Sequence, residues 1–194
     1  MIEIATMDHL KSYLQQLADM GRVCFHANRT RKEPVYKSQY ELVLAKGLEF
    51  SSEPLTDKER EIVLEAVKKL ARWHYPQIKQ CFHNSYWLAK VSKGALKYVE
   101  GWSYRLIGVH HAWNTLNGKV IDTTWREITD SRKSIKAIMD RIDRNQKENP
   151  YLGIVIPMEY MTRLWELKTS CASAIDDYVR GWPLVQKGTS VLEE

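Results

Sequence analysis

The stretch Val109-His110-His111-Ala112-Trp113-Asn114-Thr115-Leu116-Asn117-Gly118-Lys119-Val120-Ile121-Asp122-Thr123-Thr124-Trp125 decides the fold class. Two runs rich in apolar, β-branched and aromatic residues flank Asn117-Gly118, the strongest short signal for a two-residue hairpin turn. The pattern predicts strands over 106–116 and 119–125, with a further strand over 96–104 before them. A two-residue turn pairs Leu116 with Lys119, which sets His111 opposite Thr124 and Trp113 opposite Asp122. Asp122 is then the diagonal neighbour of His111 on one face of the sheet, with backbones about 7–8 Å apart. His110 points to the other face. The even loop therefore selects His111 over His110 as the partner of Asp122, whereas a three-residue loop would reverse the choice.

Upstream of the hairpin the periodicity is helical. Thr6 is a candidate N-cap for a helix to about Met20, with Leu10, Tyr13, Leu14 and Leu17 on one face. A basic polar stretch over 29–34 reads as a solvated loop, and a short helix is expected over 38–46, closed by Gly47. Thr56-Asp57-Lys58-Glu59 is a capping-box pattern, followed by Ile62, Val63, Ala66, Val67 and Leu70 on one apolar face to about Arg72. After the break at Pro76 a helix is expected over 81–93, ending at Gly94 and carrying Cys81 in its first turn. Downstream, a helix is expected over 131–145, a buried strand over 151–156 and a further helix over 158–179. Runs of helices around an antiparallel sheet read as an α+β fold. No repeat or low-complexity linker divides the chain, so one domain over 1–194 is expected: a helical N-terminal region over 1–74, a core over 75–157, and a C-terminal helix and tail over 158–194.

Composition narrows the class. The chain has 194 residues, of which 44% are hydrophobic and 27% charged, a globular balance that excludes a disordered one. The apolar stretches fall far short of the roughly 20 residues a membrane helix needs, so no membrane partner is expected. The N-terminus carries no positive segment followed by an apolar run, and a cytoplasmic location is the expectation. Cys24, Cys81 and Cys171 are odd in number and widely spaced, which argues against a disulfide framework or a zinc ribbon. The net charge of +5 is a mild basic bias, because 24 acidic residues are interspersed among 29 basic ones.

Cys81, His111 and Asp122 are the residue types that thiol acyl transfer requires. Aligned backbone dipoles at a helix start favour a thiolate, a histidine takes its proton, and a carboxylate holds the imidazole in the right tautomer. Each residue taken singly has a plain structural reading, as buried cysteine, strand histidine and hairpin-end aspartate; the joint arrangement is what points to chemistry. Cys24 and Cys171 lack such a setting. A metal site of Cys81, His83, His110 and His111 is disfavoured, since adjacent strand histidines diverge and so do Cys81 and His83 on a helix. No cofactor and no metal is expected.

These residues resemble the papain-like cysteine enzymes, and the transglutaminase-like branch most closely. The matches are Gln80-Cys81-Phe82-His83-Asn84-Ser85, Val109-His110-His111-Ala112-Trp113-Asn114 and Val120-Ile121-Asp122-Thr123-Thr124-Trp125, within about 75–157. Asp followed by Thr on the strand after His-Ala-Trp is the most specific of them. Family members usually carry a glycine close before the nucleophile, whereas Lys79-Gln80 precede Cys81 here; such divergence would suit a small bacterial or phage-encoded branch. The resemblance implies a core with the nucleophile helix packed on an antiparallel sheet, extended by N- and C-terminal helices. It also implies a Cys81-His111-Asp122 triad acting as an amide or peptide hydrolase or a transglutaminase-type acyltransferase on a peptide, protein or small amide. Oxyanion donors would come from the Cys81 N–H with the side chain of Gln77 or Gln80, and Trp87, Trp102 and Trp113 are candidates to line a cleft. The competing reading is a non-catalytic binding or inhibitor protein, for a nucleotide or nucleic acid, on a repurposed fold. It is not favoured, because no phosphate-binding glycine loop or nucleic-acid aromatic motif occurs.

Overall fold

In the computed structural model, described over residues 5–20, 33–77, 79–104, 106–124, 134–167 and 173–193, the chain is α+β. A five-stranded antiparallel sheet, in the order β1-β5-β2-β3-β4, is packed against helices. Its strands are β1 (Leu48–Glu49), β2 (Lys97–Tyr104), β3 (Gly108–Leu116), β4 (Lys119–Ile121) and β5 (Tyr151–Ile156). The longer helices are α1 (Met7–Met20), α2 (Gln39–Lys46), α3 (Asp57–Trp73), α4 (Cys81–Ser92), α5 (Ile135–Glu148) and α6 (Met158–Glu166), followed by the short α7 (Pro183–Lys187). Among the described residues no helix is long and apolar enough to cross a membrane.

The hairpin takes the register its turn dictates. Leu116 pairs with Lys119 and Asn114 with Ile121, while Asn117 and Gly118 have φ of 52° and 80°, the left-handed pair of a type I′ turn. Helix α3 pins this turn from outside. Glu59 completes the capping box with Thr56, accepts from Asn117 Nδ2 at 3.0 Å, and is bonded by Lys119 Nζ at 2.9 Å. The bond from Lys119, with those from Thr56 and Asn117, holds the Glu59 carboxyl down at about 2.

Strand parity divides the sheet into two faces. Tyr98, Trp102, Ala112, Leu152, Ile154 and Ile156 join one core, into which α1, α2, α4, α6 and α7 pack. Val99, Trp113 and Tyr151 lie on the opposite face with Phe50 and Val120. Gly153 lies close beneath Trp113: a Cβ there would stand 2.5 Å from the indole, so a side chain would displace the ring. A third cluster joins α3, α4 and α5 through Val63, Leu70, Leu88 and Ile138. The N-terminal region is not purely helical, since β1 pairs with β5 and extends the sheet.

Several elements differ from the sequence expectations, for local reasons. Strand β3 starts at Gly108 rather than 106, because Tyr104 pairs with Gly108 and leaves Leu106 and Ile107 exposed in the connection. Strand β4 stops at Ile121, whereas the pattern reached 125. The Thr124 N–H donates to Asp122 Oδ1 at 2.8 Å and the Thr123 carbonyl accepts from Arg141, which withdraws both from the ladder. Helix α5 is capped by Ser134, whose Oγ accepts from Ala137 N at 3.1 Å, and continues past Asn145 to Glu148. The expected helix over 158–179 ends at Glu166.

Residues 173–175 then serve another purpose. The carboxylate of Glu100, fully buried on β2, accepts from Ala174 N at 2.9 Å, Ile175 N at 3.0 Å, Ser173 Oγ at 2.7 Å and Tyr98 Oη at 2.8 Å. Burial raises the Glu100 pKa, although all four donors favour the charged form. Those N–H groups cannot also sustain a helix, so a short 3-10 turn, Tyr178–Arg180, follows instead. Beyond it the tail belongs to the core: Leu184 and Val185 are buried, and Tyr36 N donates to the Val185 carbonyl at 3.1 Å.

Candidate active site

Cys81 is the first residue of α4, and its approach is held by an unusual backbone. Lys79 has a φ of 63°, the left-handed region that suits glycine, so the position carries the conformation without the residue. A side chain there costs about 1–2 kcal/mol, a strain the surroundings must hold. The holding residue is Asn84, one turn into the helix and fully buried. Its Oδ1 accepts from Gln77 N at 3.0 Å, and its Nδ2 donates to the Gln77 carbonyl at 2.6 Å and to Thr124 Oγ1 at 2.9 Å. One amide thus ties the turn before Cys81 to the segment after Asp122.

His111 and Asp122 meet as the hairpin parity requires. Their side chains are almost wholly enclosed, and His111 Nε2 lies 2.7 Å from Asp122 Oδ2. The Cys81 sulfur is the ring's other polar neighbour, near enough to raise its pKa. With Nε2 on the carboxylate, Nδ1 is the nitrogen left for the sulfur. Cys81 itself is a half-buried free thiol. Cys24, Cys171 and Trp125 lie outside the described residues.

Burial alone would keep His111 neutral. The Asp122 carboxylate and the Cys81 sulfur overcome that and push it up to about 10, so the ring is held as an imidazolium between two acidic partners. Burial likewise disfavours charge on Asp122, yet its carboxyl lies below the usual range because His111, Thr124 N and Tyr151 all favour the anion. Tyr151 Oη donates to Asp122 Oδ2 at 2.8 Å, and Asn145 Nδ2 donates to the Asp122 carbonyl at 3.0 Å. Arg141, fully buried, donates to the Thr123 carbonyl while its Nε and Nη2 have no partner among the described residues. Burial lowers the Arg141 pKa, and the charges of Tyr75 and Asp122 oppose that shift.

His110 occupies the opposite face. Its ring stacks on Trp102 at 4.7 Å and meets Phe82 edge-on at 5.1 Å, and Nε2 is enclosed without a partner among the described residues. Burial lowers it to about 4, against a weaker opposing pull from Asp176. His83 does not approach it as a co-ligand. It pairs with His74 at 3.1 Å and accepts from Trp87 Nε1 at 3.0 Å, and no set of three or more metal-ligating side chains occurs among the described residues.

The remaining candidates divide. Gln80 Nε2 donates to Gln77 Oε1 at 3.0 Å, which links the two amides and leaves N–H groups on both. Trp113 is not a cleft residue: it is fully buried, packed on Phe50 and Tyr151 beneath His111. Trp102 is also buried, against His110 and Tyr40, and only Trp87 is half-exposed. Sequence reasoning missed Asn84, Tyr151, Arg141 and Asn145. Of these, only Asn84 carried a local signal, its place one helical turn after Cys81 on the same side. No family model, curated protein or solved structure matches this chain.

Proposed function

We propose that this protein is a thiol-dependent acyl-transfer enzyme, a divergent relative of the papain-like and transglutaminase-like cysteine enzymes. The observation that carries the reading is the buried His111–Asp122 pair at 2.7 Å with Cys81, opening a helix, as the other polar neighbour of the ring. The Cys81 thiolate attacks an amide carbon, forming a C–S bond and a tetrahedral oxyanion. The oxyanion is met by the Cys81 N–H, which lies ahead of the helix's own hydrogen-bond ladder, and by the Gln77 side chain. Collapse breaks the C–N bond, and the leaving amine takes its proton from the His111 imidazolium. Water or a second amine then attacks the thioester, giving its proton to His111 and restoring the thiolate. Asp122 holds the ring in place through Nε2 throughout.

An activated acyl ester offered to the full chain tests this. A thioester on Cys81 is expected within seconds to minutes, released by water or an added amine. Neither Cys81→Ala, with a native melting transition, nor His111→Ala, which should melt lower for loss of the Asp122 contact yet still fold cooperatively, should form it. Equal acylation of the wild type and Cys81→Ala would overturn the reading and leave a binding protein on a similar scaffold.

A further inference from the structure

Beside the Cys81 turn lies a chain of side chains that the acyl-transfer chemistry does not use: Trp87, His83, His74 and Asn84. His74 is the C-cap of α3 and His83 follows Cys81 on α4, and both rings are half-buried. They meet edge to face at 4.3 Å, with His83 Nδ1 3.1 Å from His74 Nε2. Trp87 Nε1 donates to His83 Nε2 at 3.0 Å, and at the far end His74 Nε2 lies 3.3 Å from Asn84 Oδ1. Trp165 of α6 also faces His83, at 5.6 Å, with Tyr86 stacked on it, and Lys90 lies 4.9 Å over the Trp87 ring. Among the described residues the only charge acting on His83 is that of His74.

The donors fix the tautomers. An indole N–H can only donate, so His83 Nε2 accepts; the neutral ring then carries its hydrogen on Nδ1 and donates it to His74 Nε2. The Asn84 amide cannot reverse, because Oδ1 accepts from Gln77 N and Nδ2 donates to the Gln77 carbonyl. His74 Nε2 therefore stands between a donor, His83, and an acceptor, Asn84, and one nitrogen cannot serve both. Neutral, it accepts from His83. Protonated, it donates to Asn84 Oδ1, which has a second lone pair beside the one that Gln77 N uses, and the bond from His83 is lost. The proton enters at His74, because Trp87 covers the lone pair of His83, and burial and the His74 charge lower that ring further. We propose that His74 is a proton-operated positioning residue: on protonation it passes from His83 to Asn84 and steadies the turn that presents Cys81. The exchange stands on its own geometry, whereas its effect on catalysis rests on the acyl-transfer reading.

Nitrogen NMR of the full chain, titrated from about pH 8 to about pH 5, tests the exchange. At the alkaline end His83 should show a protonated Nδ1 and an unprotonated Nε2. As the pH falls, the Asn84 side-chain amide and the Gln77 N–H should shift together with the His74 ring. The rate at which an activated ester acylates Cys81, taken relative to His74→Phe, should rise about threefold over the same titration, the worth of one hydrogen bond. His83→Phe leaves His74 able to donate to Asn84 even when neutral, so it should hold that gain at every pH. Asn84 signals that ignore the His74 titration, or a pH step that persists in His83→Phe, would overturn the assignment. An exchange seen by NMR in a chain that forms no thioester would uphold the exchange and sink the acyl-transfer reading alone.

Discussion

His110 and His111 are neighbours on one strand, yet one is pushed down to about 4 and the other up to about 10. His111 is buried and His110 half-buried, and burial works against the charged form of both, so burial alone does not explain the opposite shifts. What differs is the face. His110 packs on Trp102 and edge-on to Phe82, with only a weaker opposing pull from Asp176, whereas His111 bonds Asp122 and has the Cys81 sulfur as its other polar neighbour. A buried imidazole without a counter-ion is held neutral, and one between two acidic partners is held charged. The contrast shows how one residue of register separates an imidazole held neutral from one held charged.

The sharpest way to break the contrast is to remove each ring in turn. His111→Ala should lower acyl transfer by about 10²–10⁴-fold, the usual worth of a positioned acid-base group. His110→Phe, which keeps the aromatic stack, should change it by no more than a few fold. Similar losses in the two variants, measured by burst-phase acylation, would show that parity does not select the base. Asp122→Asn comes next. It should bring the His111 titration down toward its ordinary value, visible in ring NMR shifts, with a loss of transfer that Tyr151→Phe reproduces only in part.

Stability against pH separates the rings with opposite signs. The His111 pKa is raised on folding, so its stabilisation is complete below about 6.5 and is lost as pH climbs through about 10. The His110 pKa is lowered, so the stability tied to its neutral form is present above about 6.5 and is lost as pH falls toward 4. Urea unfolding of His110→Phe should therefore be less acid-sensitive than the wild type, and that of His111→Ala less alkali-sensitive. The smallest effect is expected at the turn that sets the register. Gly118→Ala, at a φ of 80°, should cost about 1 kcal/mol in thermal unfolding without moving the active-site titrations.

The pairing of His111 with Asp122 was legible because a two-residue turn and a period of two are local rules. Asn117-Gly118 and the alternation around it are sufficient to count from one residue to the other. The same rules misplaced the end of β4, where an Asx turn at Asp122 and the Arg141 guanidinium take the backbone groups that a longer ladder would need. Asn84, Tyr151, Arg141 and Asn145 reach the residues of the site across 18 to 40 positions of sequence, except for the bonds of Asn84 to the nearby Gln77. No period announces such contacts. Trp113 illustrates a further limit: its aromatic character suggested a cleft, but the sheet face it shares with His111 is closed by Phe50 and Tyr151.

The turn before Cys81 uses a glycine-like backbone without a glycine. Lys79 takes up the left-handed backbone, and the Asn84 bonds to Gln77 on its N-terminal side help to hold it. Thus Lys79→Gly is expected to relieve strain there, while Asn84→Ala is expected to loosen the turn and reduce transfer more than stability.

The central claim is that His111 activates Cys81, and the most direct test is the rate of Cys81 alkylation by iodoacetamide at neutral pH, followed by peptide mass spectrometry. Cys81 should react ahead of Cys24 and Cys171, lose roughly tenfold or more of its rate in His111→Ala, and retain it within about twofold in His110→Phe. Equal labelling of the three cysteines, or a Cys81 rate indifferent to His111, would contradict the account.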